Sequence, residues 1–237
     1  LYAPFLFDNS AEADFVYDRY LTPFFRELLA AKNLHLVSWY EIGFINIYGV
    51  EPILLPAEAV GKRFRVGAGP AARLFARSIG ADVIPLGFAD VVASLQTGLV
   101  AAGEQSVSLY ARTGIATEAA HLTITEHSFG VSAIVASKTW WDGLSSQQQE
   151  WVTAAWPTAA ETRRDVRAES DGDLAAGKDI GIIVHEVSHE HRDQWRVAVA
   201  GVTEELVATI GGRSQEVLDL IQQAKLDFRQ QLSANND

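Results

Sequence analysis

Arg63-Phe64-Arg65-Val66-Gly67-Ala68-Gly69-Pro70 decides the fold. The first four residues read as a short apolar strand that Arg65 is about to leave. Gly67, Gly69 and Pro70 then punctuate the chain, and a helical run follows from Ala71 to Ile79. Working outward, Gly80 stands at the helix end and Asp82 to Leu86 reads as the next strand. Phe88 opens another helix, and a strand is expected from Leu99 to Gly103, ended by Glu104 and Gln105. Strands alternating with helices mean an α/β architecture. In such sheets ligands bind at the carboxyl ends of strands, where Arg65 sits. A guanidinium there can hold a carboxylate through two parallel hydrogen bonds, which lysine cannot do. An ordinary solvated strand-end arginine, as expected of Arg63, is the plain alternative.

A chain of 237 residues, 48% of them hydrophobic, has enough apolar surface for one large domain or two small lobes. The net charge of −11 argues against nucleic acid or an anionic membrane as partner, because both reward clustered lysine and arginine. Any anion site must therefore draw on local positive potential, from Arg65 and from helix amino termini. No cysteine is present, so disulfides and thiolate chemistry are excluded and the redox compartment is not readable. No apolar run is long enough to span a bilayer, so direct membrane insertion is not expected.

Along the rest of the chain, Asn9 or Ser10 can cap a helix carrying Phe15, Tyr20, Leu21, Phe24, Phe25, Leu28 and Leu29 on one face, with Asn33 as its stop. Leu34 to Trp39 reads as a strand, and His121 to Thr125 and Gly130 to Ala136 as two extended segments. Ser145 and Gln148 have capping-box spacing, and helical pattern persists to about Ala176 with Pro157 placed to bend or break it. Ile180 to His185 reads as a buried strand, followed by amphipathic helices over Glu190 to Thr209 and Ser214 to Leu232.

His185-Glu186-Val187-Ser188-His189 satisfies H-E-x-x-H, the pattern of zinc hydrolases. That chemistry needs a helix, on which the two histidines share a face and the glutamate activates metal-bound water. Here a strand precedes and Ser188 is a natural helix cap, so the histidines are expected to diverge. A hydrolase using His185, Glu186 and His189 stands only as an alternative. No nucleophile elbow, phosphate loop or dinucleotide fingerprint occurs, and neither catalysis nor a cofactor is expected.

A long run of residues resembles the substrate-binding proteins of tripartite ATP-independent periplasmic (TRAP) transporters. It takes in Pro4-Phe5-Leu6-Phe7, Gly43-Phe44, Arg65-Val66, Gly80-Ala81, Pro85, Phe88, Leu95-Gln96-Thr97-Gly98, Gly103-Glu104, Thr123 to His127 and Ser137-Lys138-Thr139-Trp140-Trp141. The resemblance implies a two-lobed α/β periplasmic binding protein of type II-like form, with an interlobe cleft and a long helix spanning both lobes. Lobe I would comprise 1–42 and 131–170, and lobe II 43–130 and 171–237. Relative to that family, an amino-terminal part of one lobe and an export signal are expected to be missing. The implied partners are a small organic acid and the transporter's membrane subunits, and the implied location is the periplasm.

By the same resemblance Arg65 holds the ligand carboxylate, Phe88 walls the pocket, and Glu104 and Gln105 add polar contacts. His127 falls on a family position near the cleft, although a neutral, satisfied histidine between strands is the commoner case, and Trp39 and Tyr40 read equally as core or cleft wall. Two departures stand out: Gln105 replaces the family's usual asparagine, and Ile45 stands where many members carry a second carboxylate-binding arginine. A lone Arg65 suits a monocarboxylate, a keto acid or an aromatic acid. A ligand-sensing module without a transporter is the remaining alternative.

Overall fold

The structure, a computed structural model, describes residues 1–234. In chain order the elements are α1 (Ser10–Val16), a π-helical turn (Tyr17–Leu21), α2 (Thr22–Ala30), β1 (Leu34–Gly49), β2 (Arg63–Val66), α3 (Pro70–Ser78) and β3 (Asp82–Pro85). Then come α4 (Val91–Gln96), β4 (Ala102–Ser106), α5 (Val107–Arg112), α6 (Ile115–Glu118), β5 (His121–Ser137) and α7 (Lys138–Asp142). The chain ends with α8 (Ser146–Ala154), α9 (Ala159–Gly177), β6 (Ile183–Glu186), α10 (His189–Ala198), α11 (Val202–Ile210) and α12 (Ser214–Ala234).

Two compact units divide these residues. The first holds 1–6, 42–130 and 164–209, and the second 7–41, 131–163 and 210–237, so the division falls inside β1, β5 and α9. The sequence expectation kept 1–42 together and placed all of 171–237 with 43–130. In the compact units 1–6, 42, 164–170 and 210–237 stand on the other side of that assignment.

The first unit is built on a mixed sheet of order β3-β2-β4-β1-β5-β6. β2 runs parallel to β3 and to β4, β5 runs parallel to β6, and β1 pairs antiparallel with β4. Both faces are covered, which is why β2 reads as a continuous buried run rather than an alternating one. One face carries Ile47, Phe64, Val66 and Ala102 against Leu74 and Phe75 of α3, Trp195 of α10 and Leu206 of α11. The other carries Tyr48 and Leu122 against Val91 and Leu95 of α4, Tyr110 of α5 and Ile115 of α6. Gly80 ends the α3 segment at φ 74°, the left-handed geometry expected of a glycine there.

In the second unit Asn9 caps α1, its Oδ1 accepting from the Glu12 amide at 2.9 Å. Pro23 has no amide hydrogen to continue the helical ladder, and the chain passes through the π turn just before it. There the Thr22 amide and hydroxyl both donate to the Tyr17 carbonyl, the hydroxyl at 2.7 Å. Trp39 Nε1 donates to Thr22 Oγ1 at 2.8 Å, and the buried indole meets Tyr17 and Phe25 edge-on. Arg163 lays both terminal nitrogens on Asp18 at 2.8 Å, with Nε 3.2 Å from Asp14.

Several expected boundaries move. His121 to Ser137 forms one strand in place of two segments, with Glu126 at φ 45° inside it. The expected strand Leu99 to Gly103 lies instead at Ala102–Ser106, so Glu104 and Gln105 belong to it, because their backbones pair with Ile47 and Asn46 of β1. Pro157 breaks the long helix between α8 and α9. Gly201, at φ 85°, divides the helix expected from Glu190 to Thr209. Ser145 and Gln148 do form the capping box.

His35 stacks on Trp141 at 3.9 Å, and burial followed by the charges of Arg26 and Lys138 holds its pKa below the ordinary value. The folded state therefore resists a proton that the unfolded chain accepts near pH ~6.5. Stability is complete above that pH and falls as pH drops through it. Urea midpoints measured from pH 7.5 to 5.5 should decline, and should decline less in His35→Phe, which keeps the stack without the charge.

Candidate functional site

Arg65 is the third residue of β2 and is 7% exposed. Its register neighbours are Ile84 on one side and Gly103 on the other, and Gly103 in turn faces Tyr48. Residues directly opposite in a ladder share a face, so Arg65, Gly103 and Tyr48 line one side of the sheet, and Asn46 and Gln105 extend it. Arg65 donates from Nε and Nη2 to the Leu86 carbonyl at 3.2 and 3.0 Å. No carboxylate lies within ion-pair distance of it among the described residues. A buried cation normally has an anionic partner, because removing it from water is costly. This guanidinium has only a neutral carbonyl, and Nη1 is left for something else.

Leu86 lies two residues before Phe88, so the fork on its carbonyl fastens the turn that presents that ring. Phe88 is 43% exposed at the start of a short helical turn. It is therefore not the core aromatic that composition alone would suggest. Gln105 accepts from the Ser106 amide at 3.0 Å through Oε1, and its NH2 group has no partner among the described residues. Arg65 and Gln105 thus leave donors uncommitted on one face of the sheet.

Glu104 and His127 stand together on the opposite face. Glu104 Oε2 is 2.9 Å from His127 Nε2, and Thr125 Oγ1 is 2.8 Å from His127 Nδ1. The imidazole lies flat on Phe75, with ring centres 3.9 Å apart. Both ring nitrogens of His127 are engaged and the residue is 1% exposed, which is the satisfied internal histidine that sequence reasoning gave as the commoner case. Tyr40 is exposed in the second unit, whereas its neighbour Trp39 is core. Ile45 is buried in β1 opposite Ser106. A separate cavity of about 370 Å³ in the second unit is lined by Arg26, Trp39 and Trp156 among others, and holds none of the site residues read from sequence.

Sequence reasoning missed Tyr48 and Asn46. Tyr48 is fully buried and its hydroxyl has no partner among the described residues. Burial pushes its pKa up, with Arg65 opposing and Glu104 reinforcing the shift. Asn46 is buried too: its Nδ2 donates to the Phe44 carbonyl at 3.2 Å and its Oδ1 accepts from the Glu126 amide at 2.9 Å. An asparagine between Ile45 and Ile47 in an apolar strand was a visible signal of such a role. The H-E-x-x-H run does not form a helical pair, since His185 lies in β6 and His189 is the first residue of α10. His185 Nε2 instead meets His121 Nδ1 at 2.9 Å.

Residues 1–209 match the family model described as bacterial extracellular solute-binding protein, family 7, or DctP. The chain belongs to that family of TRAP solute-binding proteins. The ectoine-binding periplasmic protein TeaA of Halomonas elongata is 26% identical over 209 residues, 86% of this chain and 60% of its own length. The sugar acid binding protein DctPAm of Advenella mimigardefordensis, solved with galactonate, is 30% identical at a TM-score of 0.83, covering 94% of this chain and 73% of that one. A TRAP periplasmic solute binding protein of Roseobacter denitrificans, solved with β-D-glucuronate, shares the fold at a TM-score of 0.83 and 24% identity, over 93% of this chain and 72% of that one. The chain spans less than two thirds of the length of the first curated relatives it matches.

Within this family 7 chain the approach of Tyr48 to Gly103 is testable. A Cβ on Gly103 would lie 2.2 Å from the Tyr48 hydroxyl oxygen and 2.5 Å from Cζ. Gly103→Ala should lower stability by about 1–3 kcal/mol through overpacking. Tyr48→Phe removes an unpaired hydroxyl and should be neutral or stabilising, and should partly rescue Gly103→Ala. Urea unfolding of the two single variants and the double variant checks all three outcomes.

Proposed function

We propose that this chain captures a small organic acid in the periplasm and delivers it to the membrane subunits of a TRAP transporter, without chemistry on the ligand. The observation that carries the reading is the buried guanidinium of Arg65 with no carboxylate partner among the described residues. The acid's carboxylate supplies that missing charge and takes hydrogen bonds from Arg65, and the NH2 group of Gln105 reaches a neighbouring oxygen. Phe88, held beside Arg65 through Leu86, packs on the carbon skeleton. Glu104 and His127 act from the far face of the sheet by fixing the strands that carry Gln105 and Asn46, which revises their reading as ligand contacts.

The relatives' ligands support this reading, since galactonate and glucuronate are carboxylates and TeaA is an ectoine-binding protein. A thermal-shift panel of mono-, di-, keto-, aromatic and sugar acids on the full chain tests it. One acid class at a hundred times its dissociation constant should add about 2.7 kcal/mol of stability. Arg65→Ala should cost that ligand about 2–5 kcal/mol of binding. Arg65→Lys should recover only part of this, because an ammonium lacks the planar fork. An unchanged shift in Arg65→Ala would sink the assignment.

A further inference from the structure

The H-E-x-x-H run is not a hydrolase centre, yet one of its histidines is placed for metal. β6 is the edge strand of the sheet, and Thr123 and Ile183 are the register partners of His185 and His121. His121 and His185 therefore lie diagonally on one face of adjacent parallel strands, both half-buried. His121 Nδ1 and His185 Nε2 are 2.9 Å apart. The ring planes differ by 22° and the centres are 5.2 Å apart, so the imidazoles meet edge to edge with one N–H aimed at the other's lone pair.

We propose that His121 and His185 form a two-imidazole binding site for a divalent transition ion of the copper, nickel and zinc class. Imidazole suits these ions. Two metal–nitrogen bonds of about 2.0–2.1 Å at a right angle put their donors about 2.9 Å apart. That is the separation already present. The ring that donates moves its proton to its other nitrogen, and rotation about the Cβ–Cγ bonds, a soft torsion in histidine, turns the two lone pairs towards a common point on the solvent side. The ion takes the place of the single shared proton, and water completes its coordination. No third His, Cys, Asp or Glu joins the pair to make a larger metal-binding group among the described residues.

The other histidines compete poorly. His127 is buried with both nitrogens engaged and His35 is stacked on Trp141 in the second unit. His189 and His191 stand two apart at the start of α10, a spacing at which helical side chains do not share a face.

Isothermal titration of Cu(II), Ni(II) and Zn(II) chlorides into the full chain at pH 7.5 tests the site. One equivalent should bind, Cu(II) most tightly, and binding should weaken at pH 5.5 as protons compete for the nitrogens. His121→Ala and His185→Ala should each weaken binding by more than the ~10–100-fold that loss of a supporting contact costs. His121→Gln and His185→Gln repeat the test with a polar group retained at the strand edge, and thermal unfolding verifies that each variant is folded. The double variant His189→Ala/His191→Ala should bind as the parent does. Absence of binding, parent-like binding in either single variant, or loss of binding in the double variant overturns the proposal.

Discussion

One carbonyl oxygen does two jobs in the first unit. The Leu86 carbonyl receives both Nε and Nη2 of Arg65, which orients the guanidinium within the sheet. The same two bonds pin the chain where β3 gives way to the turn carrying Phe88. Those bonds exist because β2 sits between β3 and β4, with both neighbours parallel to it, so that a strand-end side chain on β2 can reach the residue following β3. Strand pairing and those two side-chain bonds tie the charged group to the turn that carries an apolar ring. The arrangement leaves the charge without an opposite among the described residues, which is the ground for the proposed anion site.

The opposite face shows how the same residue types serve a different end. Glu104 and Gln105 are adjacent in sequence, but strand alternation sends them to opposite sides of β4. Glu104 meets His127, whose second nitrogen meets Thr125 and whose ring rests on Phe75. Every member of that group has a partner, so it contributes rigidity. Tyr48 and Gly103 press together on the Arg65 face, and the missing Cβ of Gly103 is what admits the phenol.

Local chemistry in the chain was readable where the signal lay within a few residues. Asn9, Ser145 and Ser188 cap the helices they were placed to cap or precede, Gly80 adopts the left-handed form, and Pro157 interrupts its helix. What depends on pairing across the sheet was not readable. β4 extends through Glu104 and Gln105 because β1 lies alongside, and periodicity carries no information about a ladder partner. The same limit governs the site. Arg65 was visible as a strand-end arginine, but its burial and lack of an ionic partner depend on residues distant in sequence. Glu104 and His127 were named singly, and their contact across 23 positions was not foreseen. Tyr48 reads as one more aromatic in a strand until its neighbours are known.

The amide orientation of Gln105 has a consequence for selectivity. Its oxygen accepts from the Ser106 amide, so its NH2 group is the part left without a partner among the described residues, and Arg65 has no acceptor at all. Those two groups therefore speak to oxygen lone pairs, while the Tyr48 hydroxyl on the same face, unpartnered among the described residues, can accept as well as donate. A ligand that keeps its proton would bring a donor against those two donor groups. On the proposed reading, acidifying the medium would then discriminate among candidate acids by their own ionisation, with weaker acids dropping out first.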